Sequence, residues 1–159
     1  MMKPLCFLLI AGSAAAAQAQ ALEPWALPDA DASVKASQVL CLDQAKATLM
    51  AASLRAKGHS KAEVLSLVPQ SPTALSLRVV SAMRESAEDA FDFPNLSPYT
   101  QYSFRSEACF REVLGALRMP RLATVLPQLE KCEKTHGAEK SNALFQCVRS
   151  VVRDARTQP

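Results

Sequence analysis

The chain has 159 residues and a formal net charge of +3; 49% of it is hydrophobic and 6% aromatic. That length suits one domain, and so mild a charge excludes a binder that holds nucleic acid by bulk electrostatics. Four glycines against ten prolines point to short segments ended by tight turns rather than to flexible linkers.

The N-terminus reads as an export signal, residues 1–19. Lys3 supplies the positive start, Leu5 to Ala17 the short apolar run, and Ala17-Gln18-Ala19 and Ala19-Gln20-Ala21 the small-x-small pattern of a cleavage site. Cleavage is expected after 19 or 21. The run is shorter than the ~20 apolar residues of a membrane span. An uncleaved anchor is the competing reading, but no stable membrane anchor is expected after processing. Cys6 lies early in the apolar run, not at its end, so it does not mark a lipid-anchored N-terminus. Processing removes Lys3 and Cys6. A periplasmic or secreted protein with Cys41, Cys109, Cys132 and Cys147 remains, and these read as two disulfides.

Residues 20–32 form an extended lead-in with the single Trp25. A single helical domain is expected over 33–157. Its first helix runs from Val34 to Gly58. Val34, Cys41, Leu42, Ala45, Leu49, Ala52 and Ala56 fall in one arc of roughly 100° on a helical wheel. Gln44 and Thr48 lie outside that arc, and Leu40, Met50 and Leu54 stray from it. Gly58 closes the helix. Ser60 and Glu63 form a capping-box pattern that starts a short helix ending before Pro69. Ser71-Pro72 starts another, with Leu75, Val79, Met83 and Ala90 inward and Arg84, Glu85, Glu88 and Asp89 toward water.

After the turn Asp92–Ser97, Ser97-Pro98 repeats the cap-then-proline start. That helix is expected to reach Arg118, with Tyr102, Cys109, Phe110, Val113, Ala116 and Leu117 on one face. Pro120 then breaks the chain. Leu122 to His136 contains Pro127, so it is kinked or begins near Thr124. The last helix, Asn142 to Arg156, places Leu144, Cys147, Val148, Val151, Val152 and Ala155 at helical spacing. The fold expected is all-α: a small disulfide-stapled bundle of five or six short helices, with 120–157 as an added C-terminal hairpin.

Four cysteines allow three pairings. Cys132 and Cys147 are symmetric about a midpoint between Glu139 and Lys140. Cys109 and Cys132 are symmetric about Pro120, so spacing leaves the pairing open. Zinc is a competing use: Cys132 and His136 share a helical face, and Cys109 and Cys147 could complete a site. Against it stand the absence of a C-x-x-C spacing and the oxidising compartment. No metal and no cofactor are therefore expected.

No catalytic residues are expected either. His59 and His136 are the two histidines, and neither accompanies a nucleophile motif. Glu85, Glu88, Asp89 and Asp92 read as a solvated acidic face without calcium-loop spacing. Arg149, Arg153 and Arg156, with Arg118 and Arg121, read as solubilising charge; the alternative is a contact with an acidic partner or anionic lipid. Tyr99, Tyr102, Phe104, Phe110, Phe91 and Phe93 read as packing before they read as a ligand pocket.

Two short patterns carry a resemblance. Arg55-Ala56-Lys57-Gly58-His59-Ser60 fits R-x-x-G-x-S, and Phe91-Asp92-Phe93-Pro94-Asn95-Leu96-Ser97-Pro98 fits an aromatic-x-x-P-x-L-S-P turn before Cys109. Together with Cys41 they resemble a loose group of short, exported, all-helical proteobacterial proteins with no assigned activity. The resemblance covers about Cys41 to Cys109. It implies a bridge between the first and fourth helices, Cys41–Cys109, which leaves Cys132–Cys147. It implies no catalytic residues. The function expected is that of a non-enzymatic protein binding an unknown macromolecule of the cell envelope, with no nucleic-acid partner. The alternative is a carrier of a small apolar ligand in a helical pocket.

Overall fold

The computed structural model describes residues 32–69, 77–115 and 119–155. The export signal, the lead-in up to residue 31 with Trp25, the Ser71-Pro72 start with Leu75, the expected helical continuation over 116–118, and Arg156 lie outside them. The described residues form six helices: α1 (Ala32–Ala56), α2 (Lys61–Ser66), α3 (Leu77–Asp92), α4 (Pro98–Val113), α5 (Leu122–His136) and α6 (Asn142–Asp154). They contain no strand. The fold is a small all-α bundle with two cysteine bridges. No described helix is long and apolar enough to cross a membrane.

α1 packs along α3 and α4, while α5 and α6 form a hairpin against the other side of α4. α4 touches α1, α3, α5 and α6 and so links the two halves of the bundle. Thr100, Gln101, Tyr102, Ser103, Phe104, Ser106, Glu107, Ala108 and Phe110 are all buried, which is more than one face of a helix. A helix covered on several sides must satisfy its polar groups internally. Ser103 Oγ donates to the Tyr99 carbonyl at 2.7 Å and Ser106 Oγ to that of Ser103 at 3.0 Å. Gln101 Nε2 donates to the carbonyls of Phe93 and Leu96 at 2.8 and 3.1 Å, fixing the turn that precedes its own helix.

The helix starts follow local chemistry. Ser60 and Glu63 close a capping box, and the Ser60 amide that donates to Glu63 holds that carboxyl below its ordinary pKa. Ser97 caps α4 with Pro98 in the first turn, and Ser141 caps α6. α4 stops well before the expected Arg118. Gly115 takes φ +88°, its amide donates to Glu112, and Val113 is left exposed instead of inward. The stop is this glycine and not Pro120. α5 runs from Leu122 with Pro127 inside it, so the start near Thr124 does not hold. Pro127 cannot donate the bond that Ala123 would accept; both residues are exposed, so water can reach that site instead.

Two further expectations change at α1 and α3. Gln44 and Thr48, placed outside the apolar arc, are buried, and Ala56, placed on it, is exposed. The buried face of α1 is broader and more polar than the arc, because α3 and α4 cover it from two sides. Asp89, expected to face water, is also buried, paired with Arg105 of α4.

The two short patterns of the sequence meet in space. Arg55, near the end of α1, donates through Nη1 to the Ala90 carbonyl and through Nη2 to that of Pro94 at 3.3 Å. Lys61 binds Asp92 at 2.6 Å. The α1–α2 junction and the α3–α4 turn are thus one joint, with Leu96 anchored in the core beneath it.

Candidate functional site: a buried carboxylate ringed by arginines

Cys41 of α1 and Cys109 of α4 are joined, with a Cα–Cα distance of 5.5 Å. Cys132 of α5 and Cys147 of α6 are joined at 5.8 Å. The structure does not bring Cys109 to Cys132. All four sulfurs are bonded to one another, so the zinc arrangement with His136 does not form, and His136 is exposed at the end of α5. Gln44 Oε1 lies 3.6 Å from Cys109 Sγ, a polar contact rather than a hydrogen bond, since a bridged sulfur carries no proton. His59 is exposed, 4.0 Å from Glu63, beside the capping box.

The unexpected feature lies two residues before Cys109. The side chain of Glu107 is 3% exposed and faces three arginines from two helices. Arg111 Nε donates to its Oε1 at 2.8 Å. Arg149 Nε stands 3.1 Å from Oε2, and Arg153 Nε 3.8 Å from Oε1. The Arg149 Nε is buried and its hydrogen is not aligned on an acceptor, so this contact is an ion pair without a well-directed hydrogen bond. Arg149 also stacks over the Phe145 ring, 5.5 Å from its centroid. Burial lowers the Arg149 pKa from its ordinary value; Glu107 opposes that shift, while Arg153 and Arg111 add to it.

A buried carboxylate needs partners, since an unpaired charge loses its hydration without compensation. One arginine would suffice for charge balance. Three positive charges stand here against one negative. A cavity of about 10 Å³, room for one water, adjoins the cluster between Gln38, Leu42, Ser106 and Phe110.

This arrangement corrects the reading of Arg149 and Arg153 as solubilising charge; both turn inward to Glu107. Glu107 escaped notice altogether. Its signal was present: it sits three residues from Phe104 and from Phe110, on an apolar face, with Arg111 at the i+4 position that pairs with it.

A second feature is a broad open groove of about 770 Å³ between α1, α3, α4 and residues 119–123. Leu40, Val79, Val113 and Met119 give it an apolar lining, with Leu40 39% and Val113 46% exposed. Glu85, Glu88, Asp89, Asp92 and Glu112 stand against Arg105 and Arg121 along it. The acidic face is more structured than expected. Arg105 holds Asp89 at 2.5 Å and Glu85 at 3.0 Å, and Lys61 holds Asp92.

The aromatic side chains pack rather than line a chamber. Phe104 belongs to the core shared with α5 and α6, and Tyr102 packs with Ala45 and Phe145. No family model, curated protein or solved structure matches the chain.

Proposed function

We propose that this is an exported, non-enzymatic binding protein of the cell envelope, and that its groove docks a protein segment carrying apolar side chains and net positive charge. The reading is supported above all by that groove: apolar side chains stay open to solvent there, among more carboxylates than guanidiniums. Exposed apolar area of this kind is costly unless something covers it. Two bridges suit an oxidising compartment such as the periplasm, and the leader read from Met1 to Ala19 suits export to it. The R-x-x-G-x-S and aromatic-x-x-P-x-L-S-P patterns act on one joint, which supports reading them as one pattern and the chain as a member of the group it resembles. A carrier of a small apolar ligand calls for a pocket of about 300 Å³ or more. The cavity beside Phe110 and Phe145 holds about 10 Å³, and the larger groove is open and edged by charged side chains, so that second reading is not adopted.

A photocrosslinking residue at Leu40 or Val113 tests the docking reading in cells. Each should give a protein adduct whose crosslinked peptide is basic and apolar, and V113R should sharply reduce the adduct at Leu40. Adducts that form equally well at Thr135, on the exposed face of α5, or that ignore V113R, would sink it.

A further inference from the structure

We propose that Arg111, Arg149 and Arg153 form a binding site for a doubly charged oxyanion of the phosphate-monoester class, with Glu107 as its built-in counter-charge. The site is independent of the groove and of any partner that docks there. Its basis is charge. Three guanidiniums converge on a carboxylate that is 3% exposed, which leaves a surplus of two positive charges around one point. Like charges so placed repel, and burial denies them much of the water that would screen the repulsion. Burial is the first cause of the lowered Arg149 pKa, and Arg153 and Arg111 add to it.

Geometry gives the surplus an outlet. The three side chains form a graded series from inside to outside: Arg149 is 16% exposed, Arg111 22% and Arg153 45%. Each meets Glu107 through Nε, at 3.1, 2.8 and 3.8 Å. A guanidinium carries five donors, more than one carboxylate can take, so each arginine can serve a second acceptor. An oxyanion that takes these donors on the solvent side of Arg111 and Arg153 can accept from two planar forks at once, the arrangement in which arginine binds phosphate best. A dianion matches the surplus in charge as well as in shape. The cavity itself is too small for it, so the anion sits at the open rim.

The framework that holds the arginines is rigid where it needs to be. Cys41–Cys109 fixes α4 beside α1 just past Glu107, and the Phe145 ring supports Arg149. An arginine cluster that served only to neutralise Glu107 would not need Arg153, whose contact at 3.8 Å is the longest of the three.

Phosphate chemistry can arrive free in solution or on a lipid headgroup, and one experiment separates the two. Calorimetric titration of the oxidised protein with inorganic phosphate at pH 8 tests the free form. Co-sedimentation with phosphatidylcholine vesicles, with and without phosphatidic acid, tests the lipid form. Binding of either one supports the site and names its source, provided R153Q weakens it by about tenfold. E107Q should act in the opposite sense and tighten binding by about tenfold, because it removes the competing charge while keeping the shape. R121Q, which deletes an equal charge at the groove, should leave binding unchanged. If neither phosphate nor phosphatidic acid binds, or if R153Q and R121Q weaken binding alike, the proposal is overturned and the arginines are counter-charges for Glu107 alone. R153Q keeps the test open even if E107Q fails to fold, since Arg153 is the most exposed member.

Discussion

Beside a small cluster of Ala45, Tyr102 and Phe145, the bundle has two core layers of contrasting material. Where α1 meets α2 and α3, the buried side chains are largely alanine: Ala51 and Ala52 against Ala87 and Ala90, with Val64 at the edge. Where α5 and α6 meet α4, they are Phe104, Leu122, Leu129, Leu144, Val148 and Val152. Burying a Leu or Val side chain contributes roughly 1.5–3 kcal/mol, and a methyl group far less. The alanine layer gains close helix approach but little transfer free energy. The two bridges differ in kind. Cys41–Cys109 spans 68 residues and ties α1 to α4, whereas Cys132–Cys147 spans 15 within one hairpin.

Removing the bridges one at a time is the strongest way to break this comparison. In the chain-entropy model a loop of 68 residues is worth about 4 kcal/mol and one of 15 about 3 kcal/mol. C41S/C109S should therefore cost about 4 kcal/mol in urea denaturation, and C132S/C147S about 3 kcal/mol. The gap should widen in practice, because Leu129 and Val148 still hold the hairpin after its bridge is gone. A larger loss for C132S/C147S would mean that the two cores do not differ as described.

A pair of truncations sharpens the same point without touching sulfur. Leu129 and Ala51 are both fully buried. L129A should cost about 3 kcal/mol through lost transfer free energy and a residual cavity. A51G removes a single methyl group from a helix interior and should cost about 1 kcal/mol, most of it backbone entropy. Equal losses in matched urea titrations would show that the alanine layer carries more packing energy than its side chains suggest.

The same contrast decides how much the sequence could tell. α6 was legible because a single apolar stripe meets a single apolar core: Leu144, Val148 and Val152 are buried and Asn142, Gln146 and Ser150 exposed. Helix starts were legible at Ser60 and Ser97 because capping is local chemistry. The buried faces of α4 and α1 were not, because each is covered from more than one side, and periodicity describes a helix with one buried face. Gln44, Thr48 and Asp89 are buried by neighbours that no local window contains. Glu107 is the sharpest case. Its i+4 partner Arg111 was readable, but Arg149 and Arg153 reach it across the bundle.

The smallest expected effect lies where the two cores join, at the Asp89–Arg105 pair between α3 and α4. Burial raises the Asp89 pKa above its ordinary value; Arg105 opposes this, and Glu85 and Asp92 add to it. The folded state thus holds that proton more tightly than the unfolded chain. Asp89 contributes stability that is present below the ordinary carboxyl value, about pH 4, and is lost as pH rises through the raised pKa. Glu63, at the capping box, does the reverse. Its lowered pKa gives stability that is present above its ordinary value and lost as pH falls through the lowered one. Melting temperatures measured from about pH 3 to pH 6 separate the two, because the windows lie on opposite sides of the ordinary value. The wild type should lose ground to D89N as pH rises, and should lose ground to E63Q as pH falls. A wild type that gains on D89N with rising pH would mean that Arg105 outweighs burial. The seam between the cores would then be a favourable ion pair in its own right, rather than a charge held in place by the packing around it.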